Sequence, residues 1–157
     1  MRTSMEATAR MKLHRRVIQR EAAEVPEFMD ITDEVLAAVE ASGVHEGTVT
    51  VFSRHTTAAI KINENEPLLL EDMARFLEQI APRAADYRHN DFVVRTVNMT
   101  DDECPNGHAH CQHLMLSASE TIPICEGEAL LGRWQRIFLI ELDRPRLREV
   151  VIQVHGW

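Results

Sequence analysis

The C-terminal third of the sequence constrains the fold most, because it consists almost entirely of short strand-like segments. They are rich in apolar and β-branched residues, and turn formers separate them: HCQHLMLSA (110–118), ETIPIC (120–125), RIFLIELD (136–143) and REVVIQVHG (148–156). In the last segment Val150, Ile152 and Val154 share one face, while Val151 makes the opposite face apolar too. A sheet covered on both faces in so short a chain favours self-association.

The rest of the chain contains two helical segments between further strands. Apolar residues at four-residue spacing predict a helix from Ile31 to Ser42, which Gly43 ends. A second amphipathic helix begins at Pro67 and stops before Pro82. Further strands are predicted at an edge (12–20), in a segment that delivers His55 to its end (48–56), in one that continues or pairs with it (58–62), and at 92–99.

These strands outnumber the helices and do not alternate with them regularly, which favours an α+β fold over a doubly wound parallel one. We therefore predict a single compact domain over residues 1–157, built as a largely antiparallel sheet or sandwich with two main helices. Residues 1–11 are expected to form a flexible N-terminal extension.

Charge and cysteine content exclude several functions. A net charge of −8 opposes nucleic-acid binding, which relies on clustered Lys and Arg. No apolar run approaches the roughly 18 residues needed to span a membrane, so we expect a soluble, cytoplasmic protein without nucleic-acid or membrane partners. The three cysteines are an odd number, which argues against a framework of disulfide bonds. Six residues separate Cys104 from Cys111, whereas a zinc knuckle or a thioredoxin-like motif has two, so the spacing argues against both motifs.

Histidines cluster in the stretch CPNGHAHCQH (104–113). If a strand begins here, His108 and His110 share one face and His113 lies on the other. A metal site would then need ligands from elsewhere, and His55 and His89 are the candidates. The alternative is that these are loop histidines that bond to the backbone or carry protons.

Two acids are candidates for chemistry. Glu141 lies in the apolar segment RIFLIELD, where a buried carboxylate needs a partner, a metal or a proton. The alternative for Glu141 is a solvent-facing position on an edge strand, or pairing with Arg146 or Arg148. Glu64 lies in the polar turn NENE and is equally compatible with a solvated loop acid.

A donor-rich group precedes that turn. Arg54, His55, Thr56 and Thr57 are consecutive, and arginine with threonine hydroxyls suits a phosphorylated small molecule. The threonines are equally compatible with ordinary strand positions. The sequence has no Walker or dinucleotide-binding glycine fingerprint, which argues against the nucleotide folds that use them.

Taken together, five segments resemble the YjbQ-like family, which is described as secondary thiamine-phosphate synthases. They are SRHTTAAIKINENEP, YRHND, NGHAH, ETIPICEGEALLGRWQRIFLIELDRPR and EVVIQVHG. The resemblance runs from about Val17 to the C-terminus. It implies a compact α+β homotrimer with a polar pocket between subunits, in which histidines are able to hold a metal ion.

The positions that match the family motifs fall into three implied roles. The ligands of a divalent metal ion, zinc or magnesium-like, would be His55, His89 and His110. The residues that bind the substrate would be Arg54, Thr56, Thr57, Trp134 and Gln135. The catalytic residues would be Asn63, Glu64 and Glu141.

The sequence departs from the family pattern at His108, where many members have an aspartate, and at His113, where a small or basic residue is usual. These departures favour His110 as the ligand from this loop. The implied reaction is a metal-assisted transfer that joins an aminopyrimidine pyrophosphate to a thiazole phosphate and releases pyrophosphate. The alternative is a non-catalytic trimeric protein that binds a metal or a metabolite.

Overall fold

The structure is a computed structural model that describes residues 10–157. Its strands are β1 (Lys12–Glu21), β2 (Glu27–Asp30), β3 (Gly47–Ser53), β4 (Ala58–Asn63), β5 (Ser119–Cys125), β6 (Glu128–Ala129), β7 (Arg136–Glu141) and β8 (Leu147–Gly156). Its helices are α1 (Thr32–Ser42), α2 (Pro67–Ile80) and α3 (Gly107–Leu116), with a 3-10 turn at Arg88–Asn90. The predicted N-terminal extension lies outside the described residues, except for Arg10 and Met11.

Two antiparallel sheets form the framework. The larger has five strands in the order β1-β8-β3-β5-β6, and the smaller has three in the order β2-β7-β4. In the larger sheet β1 is an edge strand, as predicted, and it pairs with β8 from Lys12 opposite Gly156 to Glu21 opposite Leu147. This arrangement confirms the predicted α+β class and the largely antiparallel pairing.

The side chains of β7 divide the interior into two cores, because neighbouring residues on a strand face opposite ways. Ile137 and Leu139 pack against the five-stranded sheet and α1. Phe138 and Ile140 pack on the other side, under α2 and α3. The three-stranded sheet is therefore the middle layer, between the larger sheet and two helices.

Local signals explain where the predicted helices begin and end. The carboxylate of Glu66 accepts hydrogen bonds from the backbone N–H groups of Leu68 and Leu69, and Pro67 occupies the first turn of α2. At the end of α1, Gly43 adopts the left-handed conformation, with φ of 60°. Both helices match the predicted ranges to within a residue or two.

The segment predicted as a strand from 110 to 118 is mostly helical instead. Helix α3 covers Gly107–Leu116, so the domain has three helices rather than two. The sequence GHAHCQHLML contains no β-branched residue, and its Ala, Gln, Leu and Met favour a helix. The strand prediction depended on apolar content, which does not distinguish the two structures over so short a run.

The segment 92–99 is not a strand either. The Asp91 side chain accepts a hydrogen bond from the Val93 N–H at 3.1 Å, and its carbonyl accepts one from the Arg95 N–H at 2.8 Å. These bonds fold the chain into a turn and leave Val93 91% exposed. The strand β4 also differs from expectation, because it pairs with β7 in the smaller sheet and not with β3.

The pairing of β4 with β7 shows which residues lie at each end of the middle layer. Glu141 at one end of β7 is opposite Ala58, and Arg136 at the other end is opposite Asn63. These ends are about 17 Å apart, at 3.3 to 3.4 Å per residue. Within residues 10–157 no helix is long and apolar enough to cross a membrane.

Candidate functional site

A polar pocket of about 510 Å³ lies where β3, β7 and β8 approach the start of α3. Six residues selected from the sequence line it, namely Arg54, His55, Thr56, Thr57, His89 and His110. The structure therefore brings together all three predicted metal ligands and three of the five predicted substrate-binding residues. The other lining residues are Arg95, Asn98, Glu103, Asn106, Arg146 and Arg148.

The loop between β3 and β4 fixes the orientation of His55. The Ser53 hydroxyl donates to the Ala58 carbonyl at 2.6 Å and closes the loop, while the Glu149 backbone N–H donates to His55 Nε2 at 2.9 Å. A neutral ring that accepts at Nε2 carries its proton on Nδ1. Burial lowers the pKa of His55, and the nearby Arg148 lowers it further, so the neutral form with a proton on Nδ1 is favoured.

Glu141 forms a buried ion pair behind the pocket wall. Its carboxylate accepts from Arg148 Nη2 at 2.6 Å, from the Asp143 N–H at 2.9 Å and from the Leu142 N–H at 3.1 Å, and Arg148 Nε also contacts it. Arg148 Nη2 donates onward to the Thr57 hydroxyl at 2.9 Å. Glu141 is fully buried on the central strand of its sheet. Of the two alternatives to a catalytic role, the structure therefore supports pairing with Arg148 and excludes a solvent-facing position on an edge strand.

His89 and His110 form an edge-to-face pair in the same pocket. Their ring centroids are 4.7 Å apart, with the planes inclined at 65°. The Gly107 N–H at the start of α3 donates to Asn90 Oδ1 at 2.9 Å, which ties the turn carrying His89 to the helix carrying His110. Burial lowers the pKa of His110, and the neighbouring His89 lowers it further.

The donor set does not fit a three-histidine metal site on one chain. Within residues 10–157, no group of three His, Cys, Asp or Glu side chains is placed to hold a metal ion. His55 accepts a backbone hydrogen bond at Nε2 and therefore holds a proton at Nδ1, so neither nitrogen presents a lone pair to an ion. His89 and His110 alone supply two ligands, fewer than a metal site needs. Metal binding stays a prediction.

The helical structure of α3 overturns the expected grouping of its histidines. Residues two apart on a helix point to different sides, so His108 and His110 do not share a face. His108 is 2% exposed and lies inside, and neither of its ring nitrogens has a hydrogen-bond partner among the described residues. His110 alone of the three lines the polar pocket.

The remaining predicted site residues lie at the other end of β7. Glu64 and Trp134 line a separate hollow of about 430 Å³. Asn63 lies nearby and donates through Nδ2 to the sulfur of Met73 at 3.2 Å. The Gln135 side chain accepts from the Gly132 N–H at 2.7 Å and so stabilises its own turn. One chain therefore does not bring these residues to the histidines.

Sequence reasoning missed the role of the arginines that follow β7. Arg146 and Arg148 both line the pocket, although from the sequence they are considered only as partners of Glu141. The buried carboxylate of Asp143 accepts from Arg146 and from Asn106, each at 3.4 Å. A signal existed for Arg148, because it has the same parity as the buried Val150 and so faces the interior.

Residues 16–157 match the family model described as UPF0047 protein YjbQ-like. The chain belongs to the YjbQ-like family. Among its relatives, a UPF0047 protein of Methanothermobacter thermautotrophicus is 42% identical over 130 residues, which are 83% of either chain. The UPF0047 protein YugU of Bacillus subtilis is 33% identical over 132 residues, which are 83% of this chain and 90% of the relative.

Solved structures of YjbQ-like proteins share the fold. One from Sulfolobus solfataricus P2, described as a YbjQ-like protein of unknown function, has a TM-score of 0.85 and 34% identity, covering 94% of this chain and all of that one. An uncharacterized YjbQ/UPF0047 protein from Clostridium acetobutylicum has a TM-score of 0.78 and 34% identity, covering 88% of this chain and 98% of that one. These similarities confirm the family and the fold that the motifs predicted.

Proposed function

We propose that the polar pocket binds the phosphate groups of a small phosphorylated heterocycle, and that the protein is a transferase with thiamine-phosphate synthase activity. In this reaction the carbon–oxygen bond of an aminopyrimidine pyrophosphate breaks, and pyrophosphate leaves with the electron pair. The nitrogen of a thiazole phosphate supplies the pair for the new carbon–nitrogen bond. One observation carries the proposal: histidine, threonine and arginine donors from separate segments converge on one pocket.

Two of the four arginines in the pocket are suited to hold pyrophosphate. Arg54 contacts Glu149 through Nη1 at 3.1 Å, and Arg146 contacts Asp143 through Nη1 at 3.4 Å. Each of these guanidinium groups uses one nitrogen in the described part of the chain, and the others remain for a ligand. The side chains of Arg54 and Arg146 are 59% and 41% exposed, so an anion from solvent reaches both.

The other two arginines are structural supports. Arg148 is held by Glu141, and Arg95 pairs with Glu103 at 2.8 Å with its side chain 14% exposed. Their carboxylate partners neutralise them, so the pocket offers directed donors without a large surplus of positive charge. Such donors stabilise the departing pyrophosphate because they are already oriented before it forms.

His55 is assigned the role of a neutral donor. Its Nδ1–H group would donate to a phosphate oxygen while Nε2 stays bonded to the Glu149 N–H. The buried Arg148–Thr57 hydrogen bond orients the threonine beside it. Thr56 is exposed at the pocket and would add a hydroxyl donor to the same phosphate group.

Two of the three residues assigned to catalysis need a second copy of the chain to reach this pocket. Glu64 and Asn63 lie at the far end of β7, about 17 Å away by strand length. We propose that they enter from a neighbouring subunit of a homotrimer. Exposed apolar side chains near the pocket support such an interface: Val93, Val94 and Val97 are 91%, 60% and 68% exposed.

A divalent ion remains part of the proposal only as a group whose ligands that neighbouring subunit completes. Elemental analysis of the purified protein beside a His110→Ala variant tests it, with protein mass from light scattering. Metal near one equivalent per subunit, lost in the variant, supports assistance by a metal. The absence of metal from both proteins would exclude the divalent ion from the proposed function.

The substrate pocket is tested by pyrophosphate binding and by turnover of the two thiamine-phosphate precursors. We expect Arg146→Gln to weaken pyrophosphate binding about tenfold or more, the loss of one charge-assisted hydrogen bond. Arg75→Gln is the matched control, because the Arg75 side chain is 73% exposed on α2 and lines neither the polar pocket nor the hollow that holds Glu64. Equal binding by both variants and the unaltered protein would exclude the arginine assignment.

A second candidate function is binding of a phosphorylated metabolite without turnover. It is favoured by the position of the predicted acids: Glu141 is sealed behind the pocket and Glu64 does not line it. Pyrophosphate binding that depends on Arg146, with no product from the two precursors, would select this alternative. Turnover lost in Glu64→Gln with binding retained would select the transferase.

A further inference from the structure

A second, apolar cavity of about 300 Å³ lies on the far side of the three-stranded sheet, between α2 and α3. Its lining is formed by Phe28, Lys61, Asn63, Met73, Phe76, Leu77, Ile80, Met115, Leu116, Phe138 and Ile140. None of these residues lines the polar pocket. An inference from this cavity is therefore separate from the polar pocket, and it shares with the proposed transferase only Asn63, which is assigned to catalysis in a neighbouring subunit's pocket.

Most of the cavity lining is apolar, both at the floor and at the rim. The floor is built by Phe138 and Ile140, which are 0% and 2% exposed. The rim carries Phe76, Ile80 and Met115, which are 59%, 44% and 64% exposed. Exposed apolar residues that converge on a concave surface mark a binding site, whereas scattered ones are ordinary.

Helix α2 shows that this surface lacks a partner within the described chain. Its apolar residues recur at helical spacing, yet Leu77 is the one residue of α2 that is fully buried. Met73 and Met115 both line the cavity. Methionine side chains are flexible and polarisable, and they adapt to apolar ligands of varied shape.

The polar end of the cavity indicates which kind of chemical group the occupant places there. Lys61 Nζ donates to Glu120 Oε1 at 2.8 Å, and an ammonium group has two further protons to donate. Asn63 Nδ2 has the sulfur of Met73 as its acceptor, which is a weak one. Among the described lining residues there is no carboxylate. Glu120 uses one of the three Lys61 protons and does not line the cavity, so this end offers donors to a group that accepts hydrogen bonds, such as a carboxylate.

We propose that the cavity binds a small amphipathic anion, with an apolar body on Phe138 and Ile140 and a carboxylate at Lys61 and Asn63. An apolar cavity of about 150 Å³ holds benzene, so this one suits a body of about two rings or a medium-length alkyl chain. A protein surface is a poorer match, because it would have to present an apolar knob with an acid beside it.

The test uses the full chain and decanoate, detected by displacement of anilinonaphthalene sulfonate fluorescence. We expect one saturable site, and decanoate bound about tenfold or more tightly than decanol, since only the acid pairs with Lys61. Lys61→Met removes that preference and leaves decanol binding unchanged. Absence of saturable binding, or a preference that survives in Lys61→Met, overturns the proposal.

Two tryptophan substitutions separate cavity filling from a general surface effect. Met115→Trp fills the cavity and is expected to abolish decanoate binding. Leu68→Trp is the matched control, because Leu68 is 67% exposed on α2 and does not line the cavity. Equal loss in both variants overturns the proposal. It is also overturned if decanoate fails to bind at concentrations where light scattering shows self-association, since a second copy then occupies the cavity.

Discussion

The two ends of β7 carry similar residue types but differ in how firmly the fold holds them. At one end Glu141 and Arg148 are buried, with side chains 0% and 4% exposed, and backbone N–H groups complete the bonding of the carboxylate. At the other end Arg136 is 38% exposed and pairs with Asp30 and Asp33, while Trp134 is 61% exposed. The first end shapes a pocket from inside, and the second presents side chains outward.

The largest expected effect is at the buried end. Glu141→Gln leaves the Arg148 guanidinium buried without its counter-charge, so we expect a loss of about 3 to 5 kcal/mol in the free energy of unfolding, measured in urea. Glu64→Gln, at the exposed end, should change it by less than about 0.5 kcal/mol. Similar losses in the two variants would abolish the distinction between the ends.

At the exposed end the largest contribution should come from Asp30, and it should depend on pH. Burial would raise the pKa of Asp30, but hydrogen bonds from Arg136, Thr32 and Asn65 outweigh it and lower the pKa to about 2. A carboxyl with a lowered folded pKa stabilises the protein above its unfolded pKa of about 3.9, and that stability is lost as pH falls towards 2.

Asp30→Asn should therefore cost about 1 to 2 kcal/mol at pH 7, a figure reduced for the partial exposure of Arg136. The difference from the unaltered protein should shrink between pH 4 and pH 2 in thermal unfolding. Asp33→Asn is the control, because the Asp33 side chain is 84% exposed. A difference that stays constant down to pH 2 would contradict the assignment.

The cap of α2 lies beside Glu64 and should contribute less. Glu66→Ala removes the acceptor for the Leu68 and Leu69 N–H groups, so we expect a loss of about 1 kcal/mol in chemical denaturation. Glu71→Ala on the same helix should have less than half that effect, since it caps nothing. Equal effects would show that general charge and not capping is responsible.

The smallest effect on subunit stability is expected for Trp134→Ala. An exposed side chain contributes little to the fold, so the free energy of unfolding should change by less than about 0.5 kcal/mol. Sedimentation of the same variant sharpens the comparison, because a weakened oligomer would show that a neighbouring subunit contacts the exposed end. An unchanged oligomer together with a large loss of stability would contradict the outward role of Trp134.

The sequence predicted most of this architecture because the regular strands carry strong local signals. Alternating burial along β8, with Val150, Ile152 and Val154 inside, follows directly from residue type. Helix α3 was missed because the apolar content of a short segment does not distinguish a helix from a strand. The turn at Asp91 was missed because hydrogen bonding to this one side chain outweighed the strand preference of the valines that follow it.

The candidate site was predictable in part for a different reason. His55, Thr56 and Thr57 are contiguous, so their grouping needed no tertiary information, and the family motifs selected His89 and His110 from the histidines already considered. The burial of Glu141 against Arg148 depends on which strand faces which layer. That depends on contacts between distant segments, which local patterns do not encode. Whether Glu64 meets the histidines depends on more than one chain.

The pairing of β1 with β8 has a consequence for how the protein folds. Lys12 lies opposite Gly156, so the first described strand is matched to the last one, and most of the described chain lies between them. The larger sheet then forms its β1 edge only after β8 has been synthesised. Closing so long a loop is slow compared with forming local turns, so we expect docking of β1 to be a late event in folding. The same proximity suits a circular permutation, in which a short linker joins these strands and new ends open at the turn between β5 and β6.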